Sequence, residues 1–330
     1  MTGAAVKGAF TAGALTVLSD PAVRAGLNLH VRRVYGTSSG ALNAAFYATM
    51  LRTGDHALAG DQLARVWVDD VTLWNAFSLS WRGIFGLRGL FNTRSLVALM
   101  RKRLKAKPGS EHVTLGMVVT NAQGRAIGEP PHTSYEHLVT FSDDDFDTEA
   151  SLDRVRHVAA ASASIPGLFV PMKLDVNGQS FEAVDGGVVD DTPLNSAIAG
   201  SGVRRVFVIS PDPADTPPVS LRGPSLVSQM LDILIQQRLV RDLRTIRQRT
   251  KAIDRLTQIL TDDAVRARVL DAIGWKDHHP IEVVEIRPEE LLPGQSFSGL
   301  LSKSLREEYV HAGMIAAKRA ITPLLASAAL

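Results

Sequence analysis

Short apolar runs alternate with helical patterns along this chain, and that order predicts an α/β fold. Three runs have the length and composition of buried strands: Val113 to Thr120, Arg204 to Ser210 and Ile281 to Ile286. Helical patterns cover Ala9 to Leu18, 41–52, 57–68, 150–162, 192–200, 226–260 and Leu300 to Ile321. A hairpin turn at Asn177-Gly178 joins two further short strands, whereas Asn121-Ala122-Gln123-Gly124 predicts a turn after the first buried run. We therefore expect one domain over residues 1–330, with its core at 3–210.

Composition narrows the functional classes. The 330 residues carry a net charge of +2, so the chain has no electrostatic footprint for nucleic acid. Cysteine is absent, which excludes disulfides, zinc–thiolate sites and a thiol nucleophile and is consistent with a reducing compartment. The sequence shows neither an uninterrupted apolar run of about 18 residues nor a secretory signal pattern. A cytoplasmic protein is the expectation.

The segment Gly36-Thr37-Ser38-Ser39-Gly40 is the main candidate for chemistry. It follows an apolar stretch and precedes a run of small residues that favours a helix, which is the strand–turn–helix context of a nucleophile elbow. Such a turn requires small residues at Gly36 and Gly40 and exposes the central hydroxyl beside a helix N-terminus. Ser38 is the predicted nucleophile, and Ser39 is interpreted as a turn residue.

Two other segments are expected to meet this elbow. Gly3-Ala4-Ala5-Val6-Lys7-Gly8 is a small-residue loop before a helix, and such loops present backbone N–H donors to anions. Asp185 ends a predicted strand and is followed by Gly186 and Gly187. Carboxyl ends of neighbouring strands share one edge of a sheet, where open α/β folds place their sites. A frayed N-terminus and an aspartate bonded to its own turn remain the alternative interpretations.

A serine nucleophile needs a base, and the chain has nine histidines. His278, His279 and His311 follow Asp185 in the order of a Ser-Asp-His hydrolase. However, the first two precede a predicted strand and His311 lies inside the last helix, away from the expected site. His157 is in the middle of a helix. A Ser38–Asp185 dyad is therefore the preferred hypothesis.

Four motifs in order carry a family resemblance: the small-residue loop with Lys7-Gly8, Gly36 to Gly40, Ala161-Ser162-Ala163-Ser164-Ile165-Pro166-Gly167-Leu168-Phe169, and Asp185-Gly186-Gly187. Together they resemble the patatin-like phospholipases over most of the chain, from Gly3 to about Ile321. The resemblance implies a three-layer α/β/α lipid acyl hydrolase with a mostly parallel central sheet, no metal or other cofactor, and an acyl lipid as substrate. It places the nucleophile at Ser38, the base at Asp185 and an oxyanion loop at Gly3, Ala4, Ala5, Lys7 and Gly8.

Two departures from the family pattern qualify that resemblance. Ala4 and Ala5 stand where the family loop is mostly glycine, and their N–H donors keep the required direction only if φ is negative there. The family's first strand should also precede the loop, so we expect that the true start lies upstream or that this product is truncated.

Three further hypotheses stay open. Aromatic residues between Val71 and Leu90 (Trp74, Phe77, Trp81 and Phe85) form either one wall of an apolar substrate groove or a satellite hydrophobic cluster. The basic amphipathic helix over 226–260 either lies on an anionic membrane surface or packs on the sheet. The protein as a whole is a lipid acyl hydrolase, a Ser-His-Asp esterase, or a non-catalytic lipid- or partner-binding member of the same family.

Overall fold

The computed structural model describes residues 1–76, 78–80, 88–190, 192–198, 202–215, 226–275, 278–294 and 297–328. The helices are α1 Gly8–Ser19, α2 Pro21–Gly26, α3 Ser39–Arg52, α4 His56–Arg65, α5 Leu73–Ala76, α6 Arg94–Arg103, α7 Glu149–Ser162, α8 Leu194–Ile198, α9 Leu226–Ile259, α10 Asp263–Ala272 and α11 Lys303–Ala328. The strands are β1 Arg33–Thr37, β2 Ser78–Leu79, β3 Phe91–Asn92, β4 Thr114–Ile127, β5 His132–Phe141, β6 Met172–Val176, β7 Gln179–Asp185, β8 Arg205–Ile209 and β9 Glu282–Ile286.

The central layer is built on parallel strands. β1 pairs with β4 in parallel, and β8 pairs with β9 in parallel. β5 and β7 pair antiparallel with β4, and β6 pairs antiparallel with β7. Backbone hydrogen bonds from Met1 and Thr2 connect β1 to β8, because Thr37 N–H donates to the Met1 carbonyl and Thr2 N–H donates to the Ile209 carbonyl. The parallel strands β9, β8, β1 and β4 therefore lie in succession, and the antiparallel strands join the layer on the β4 side.

Helices cover both faces of this layer. The main core buries apolar residues of α1, α3, α4, α7 and α11 against β1, β4 and β9. A second core joins α8 and α9 to β8, with Leu239, Leu243 and Ile246 buried on the sheet. The predicted three-layer α/β/α fold is confirmed.

Close packing of α1 on α11 depends on two glycines. A Cβ atom at Gly13 would lie 1.9 Å from the Val310 carbonyl oxygen, and one at Gly313 would lie 2.0 Å from the Phe10 oxygen. The two backbones therefore approach as closely as glycine permits, which fixes the last helix beside the helix that follows the opening loop.

The predicted turn after the first buried run was wrong. Asn121 to Gly124 lie inside β4, which continues to Ile127 with a register shift between Thr120 and Arg125. Gly124 has a φ of +70°, so the extra residues form a bulge, and β5 pairs with β4 before and after it. The local composition of a bulge and of a turn is the same, and the neighbouring strand decides between them.

Most other predicted elements match the observed bounds, including α9, β9 and the hairpin at Asn177-Gly178, whose two residues have φ of +52° and +78°. The hypotheses for Phe77, Trp81 and Phe85 and for the side chain of Trp74 concern positions outside the described residues. The same holds for positions 199 and 200 of the helix predicted over 192–200.

Candidate active site

Two strand ends meet head to head beside β4 and bring Ser38 close to Asp185. β1 ends with Thr37 opposite Val118, and β7 arrives from the other direction and ends with Asp185 opposite Val119. β5 occupies the other edge of β4 at these positions, so β1 and β7 share a single edge. The residue after β1 and the last residue of β7 therefore face each other, although 147 positions separate them in sequence.

Ser38 has the backbone of a nucleophile elbow. Its φ is +55° and its ψ is −127°, a conformation that a non-glycine residue adopts only when its surroundings enforce it. A Cβ at Gly36 would lie 2.1 Å from the Gly40 carbonyl oxygen, and one at Gly40 would lie 2.4 Å from the Met1 oxygen. Both glycines are thus sterically required, as the motif predicted.

A short hydrogen bond joins the serine to the aspartate. Ser38 Oγ donates to Asp185 Oδ2 at 2.7 Å, and both residues are buried. The other oxygen, Oδ1, accepts from Gly187 N–H at 2.8 Å. Gly186 is also required, because a Cβ there would lie 2.2 Å from the Val118 carbonyl oxygen. The carboxylate is held in one orientation and points one oxygen at the serine.

Burial governs the electrostatics of this pair. Removal from water raises the pKa of Asp185 to about 7, while the hydrogen bonds from Ser38 and from Gly187 N–H act in the opposite direction. The carboxyl group therefore changes protonation near neutral pH, which is the range in which a general base is effective.

The motif at 161–169 supports both partners. Ser38 N–H donates to Ser162 Oγ at 2.9 Å, and Ser162 Oγ donates to the Val118 carbonyl at 2.6 Å. Asp185 N–H donates to the Ser164 carbonyl at 2.9 Å. These bonds connect the end of α7 to the elbow and to β7, so the motif positions both Ser38 and Asp185.

The opening loop lies against the elbow and is strained at one residue. Ala4 N–H donates to Ser39 Oγ at 3.0 Å, so the hydroxyl interpreted as part of a turn instead fastens the loop to α3. Ala4 has an extended φ of −171°, whereas Ala5 has a φ of +47°. The condition of negative φ thus holds at Ala4 and fails at Ala5, in the region where glycine is favoured.

Asn43 and Trp67 hold the other end of this loop, and the sequence reasoning missed both. Asn43 Nδ2 donates to the Gly8 carbonyl at 2.9 Å, and Trp67 Nε1 donates to Asn43 Oδ1 at 2.5 Å. A Cβ at Gly8 would lie 2.6 Å from the Trp67 ring. The available signal was an asparagine within a run of alanines, one helical turn after Ser39.

Lys7 lies half-buried near a carboxylate that the sequence did not single out. Asp212 follows the carboxyl end of β8, as Ser38 follows the carboxyl end of β1. Burial raises the pKa of Asp212, and the Lys7 charge lowers it. Gln236 of α9 donates a hydrogen bond that also lowers the pKa of Asp212. An electrostatic interaction thus connects Lys7 of the opening loop to Asp212, which follows β8.

The candidate histidines have other contacts. His279 bonds to the Val203 carbonyl near the amino end of β8. Ser38 lies at the opposite end of the parallel strands, after the carboxyl end of β1. His311 is exposed on α11, and His157 Nδ1 contacts the Asp153 carbonyl within α7. His137 is buried on β5 and stacks on Phe181, and burial lowers its pKa.

Within the described ranges, no helix has the length and apolarity needed to cross a bilayer. The same part of the chain contains no group of three or more His, Asp or Glu residues arranged to hold a metal ion.

The fold and this site define a class: an α/β protein with a serine on a strained strand–helix elbow, hydrogen-bonded to a buried carboxyl group. The family model described as patatin-like phospholipase matches residues 1–198, which is more than half of the chain. The chain therefore belongs to the patatin-like phospholipase family, and the predicted resemblance is confirmed. The match includes the loop, the elbow and Asp185 and ends before β8. The comparison with curated proteins gives no match.

Proposed function

We propose that this protein hydrolyses carboxylic ester bonds of phospholipids or other acyl lipids, with Ser38 as nucleophile and Asp185 as base. Membership in the patatin-like phospholipase family supports lipid acyl hydrolysis in general. The observation that carries the specific proposal is the 2.7 Å hydrogen bond from Ser38 Oγ to Asp185 Oδ2. A hydroxyl bonded to a buried carboxylate is arranged to lose its proton as it attacks.

The first half of the reaction forms an acyl-enzyme. Asp185 accepts the Ser38 proton while Oγ attacks the ester carbonyl, and the negative charge develops on the carbonyl oxygen. Backbone N–H groups of the opening loop and the N-terminus of α3 stabilise that oxyanion. The Asp185 carboxyl group then gives its proton to the departing alcohol oxygen, and the bond between the acyl carbon and that oxygen breaks.

The second half consumes water. Asp185 takes a proton from a water molecule that attacks the acyl carbon, and the bond to Ser38 Oγ breaks. The proton returns to Oγ, and a fatty acid leaves. The pKa of about 7 suits both roles, since the group must accept and then donate a proton at the same pH.

A fluorophosphonate probe tests the nucleophile directly. We expect the folded wild-type protein to be labelled at Ser38 and the Ser38→Ala variant to stay unlabelled. Ser110→Ala is a matched control, because Ser110 is exposed and lies beside Arg52, at the opposite end of α3 from Ser38. Labelling that persists in Ser38→Ala, or is absent from wild-type protein, would remove Ser38 from the mechanism.

A substrate panel tests the lipid class. Phospholipids, lysophospholipids and p-nitrophenyl esters present the same ester bond on different leaving groups. Hydrolysis of the long-chain lipids is the expected result, and activity on short soluble esters alone would indicate a general esterase.

One observation favours a second candidate, a catalytically impaired lipid-binding protein. Ala4 N–H already donates to Ser39 Oγ, and Ala5 holds a strained φ, so two positions of the proposed oxyanion loop differ from a glycine loop. Removal of one oxyanion donor costs about 3 kcal/mol of transition-state stabilisation. Lipid binding without probe labelling would favour this second candidate.

The chain beyond residue 198 is proposed to belong to the same domain. Ile209, Ile286 and Tyr309 are buried in the core that also contains α1 and β4. A protein ending at residue 198 would expose this surface, so it should be insoluble or unstable where the full chain is folded.

The basic helix α9 is proposed as a peripheral membrane contact that acts mainly through charge. Leu239, Leu243 and Ile246 are buried on the sheet, whereas Val240 and Ile259 are exposed. The exposed basic residues are Arg241, Arg244, Lys251 and Arg255. Arg247 pairs with Glu285 and Arg249 lies over Trp275, which leaves fewer arginines facing solvent. Binding to anionic vesicles should weaken with salt. Unchanged binding after reversal of the four exposed charges would refute this contact.

A further inference from the structure

The turn that follows Asp185 is closed by hydrogen bonds of its own. Asp185 is the last residue of β7, and Gly186–Val188 form a single turn of 3-10 helix after it. The N–H groups of Val189 and Asp190 both donate to the Gly186 carbonyl, at 3.0 and 2.9 Å. These bonds shape the turn internally, so its position on the sheet depends on other contacts.

A threonine hydroxyl on β4 holds the first residue of this turn. Thr120 Oγ1 donates to the Asp185 carbonyl at 2.7 Å, and Thr120 is buried. Asp185 N–H donates to the Ser164 carbonyl at 2.9 Å. The backbone of the proposed base is thus bonded on both sides of its Cα atom, to Ser164 on one side and to Thr120 on the other.

A second threonine holds the last residue of the turn. Thr37 is fully buried at the end of β1, directly before Ser38, and its Oγ1 donates to the Asp190 carbonyl at 3.1 Å. Its methyl group also packs on the turn, because a Cβ at Gly186 would lie 2.8 Å from Thr37 Cγ2. Two hydroxyl groups, one from β4 and one from β1, therefore bond to the two ends of the segment 185–190.

These contacts matter because the Asp185 carboxyl group is buried. Burial, rather than a neighbouring charge, raises its pKa to about 7, so the ionised carboxylate would be stabilised by moving outward into water. Hydrogen bonds from Ser38 Oγ and Gly187 N–H oppose this movement of the side chain. They do not stop the whole turn from shifting, which requires bonds to its backbone. Thr120 and Thr37 make such bonds.

We propose that Thr120 and Thr37 are positioning residues, whose hydroxyl groups hold both ends of the turn and keep the ionised Asp185 carboxylate against Ser38. This role rests on the proposed function, in which Asp185 accepts the Ser38 proton. Both threonines act through backbone carbonyls of the turn. A displacement of about 1 Å at a reacting group can cost on the order of 10²-fold in rate, which sets the scale of the expected effect.

Substitution by valine removes each hydroxyl group and keeps the branched shape of the side chain. We expect Thr120→Val and Thr37→Val to lower kcat by about 10- to 100-fold, with KM within about threefold of wild type. Thr120→Ser and Thr37→Ser keep the hydroxyl group and should retain at least about a third of the wild-type kcat. The control is Thr49→Val, because Thr49 is also buried but its hydroxyl donates to the Ala45 carbonyl within α3. Its kcat should equal that of wild type.

A second readout requires no turnover. NMR titration of the aspartate carboxyl carbons measures the pKa of Asp185, and Asp185→Asn assigns the signal. In both valine variants this pKa should fall from about 7 toward the usual 3.8, because a carboxylate that moves outward regains water. The serine variants and Thr49→Val should keep the wild-type pKa.

A third readout requires no variant and therefore applies even if a valine variant does not fold. In the wild-type protein, the amides of Val189 and Asp190 should exchange at least about 10²-fold more slowly than in an unfolded peptide, because the turn is held at both ends. Exchange of these two amides at the rate of an exposed loop would show that the turn is not held.

Other results would also overturn the role of the two threonines. If kcat and the pKa of Asp185 are unchanged in the valine variants, the hydroxyl groups do not position the carboxylate. Equal losses in the valine and serine variants would assign the effect to packing. A wild-type protein that hydrolyses no ester would contradict the proposed function instead, and the pKa of Asp185 and the amide exchange would still decide whether the threonines hold the turn.

Discussion

The two edges of β1 differ sharply, and the difference separates the proposed Ser38–Asp185 dyad from the proposed oxyanion loop. On the β4 edge, β1 and β7 are continuously paired and Asp185 is held by bonds to Gly187 and Ser164. On the β8 edge, residues 1 and 2 provide the backbone bonds that connect β1 to β8 in the described part of the chain. Ser38 and Asp185, the proposed nucleophile and base, therefore lie on the continuously paired, more rigid side of β1, whereas the loop beside them is held by a few side-chain bonds.

The largest effect is expected from Ser38→Ala on the rigid side. Loss of the nucleophile should lower kcat by a factor of about 10⁴ or more. The protein should stay folded, with a free energy of unfolding lowered by on the order of 1 to 3 kcal/mol, because the buried Asp185 carboxyl group loses one hydrogen-bond partner. Steady-state lipid hydrolysis and thermal melting measure the two quantities. Turnover close to wild type would contradict the assignment.

Asp185→Asn should lower the activity but raise the stability of the protein above neutral pH. We expect activity to fall by a factor of about 10³ or more, since the amide cannot accept the serine proton. The folded-state pKa of about 7 exceeds the usual 3.8, so the folded protein binds the proton more tightly than the unfolded chain. The contribution of Asp185 to the free energy of unfolding is therefore fully present below about pH 4, and it is lost as the pH rises through about 7.

The neutral amide of the Asp185→Asn variant should avoid that loss, which amounts to on the order of 4 kcal/mol above pH 7 for a shift of this size. The variant should therefore melt higher than wild type at pH 8, and the difference should shrink at pH 4. Denaturant unfolding at both pH values measures it. Equal stability at pH 8 would mean that Asp185 is not desolvated as described.

The pH profile of the wild-type enzyme should report the same group. If the ionised Asp185 is the base, kcat/KM should fall about tenfold per pH unit below about 7. Two substrates with different leaving groups should give the same apparent pKa. A flat profile between pH 5.5 and 8 would exclude a base that titrates near 7.

Asn43→Ala should destabilise the opening loop, because Asn43 binds the Gly8 carbonyl. It leaves the Trp67 N–H and the Gly8 carbonyl without their partner in a buried position, which should cost on the order of 2 to 3 kcal/mol of unfolding free energy. Activity should also fall, because Gly8 closes the loop. Thr49→Ala on the same helix is a control whose hydroxyl bonds only within α3. Equal effects of the two variants would argue against a specific role of Asn43.

Ala5→Gly should produce the smallest change, in the opposite direction. Glycine relieves the positive φ and should stabilise the protein by about 0.5 to 1 kcal/mol, with activity equal or higher. Ala4→Gly is the matched control, since Ala4 has an extended φ and should gain nothing. Destabilisation by Ala5→Gly, measured by melting, would show that Ala5 is not strained.

The sequence predicted the residues around Ser38 and Asp185 more fully than the contacts of the opening loop. Gly36, Gly40 and Gly186 are steric requirements of tight backbone crossings, and such requirements are written in local sequence. The bonds of Ser39 to Ala4 and of Asn43 to Gly8 were missed, because each joins residues 35 positions apart through common polar side chains. The bulge at Gly124 was mistaken for a turn, since the two features share their composition.

The sequence alone determined the order of strands and helices, the elbow around Ser38 and the family, because periodicity and glycine spacing are local properties. Only the tertiary structure decided that β1 and β7 end on the same edge of β4, which places Ser38 Oγ within 2.7 Å of Asp185. It also decided that burial, rather than a neighbouring charge, raises the pKa of that carboxyl group. Strand pairing and desolvation depend on residues far apart in the chain, so no local pattern encodes them.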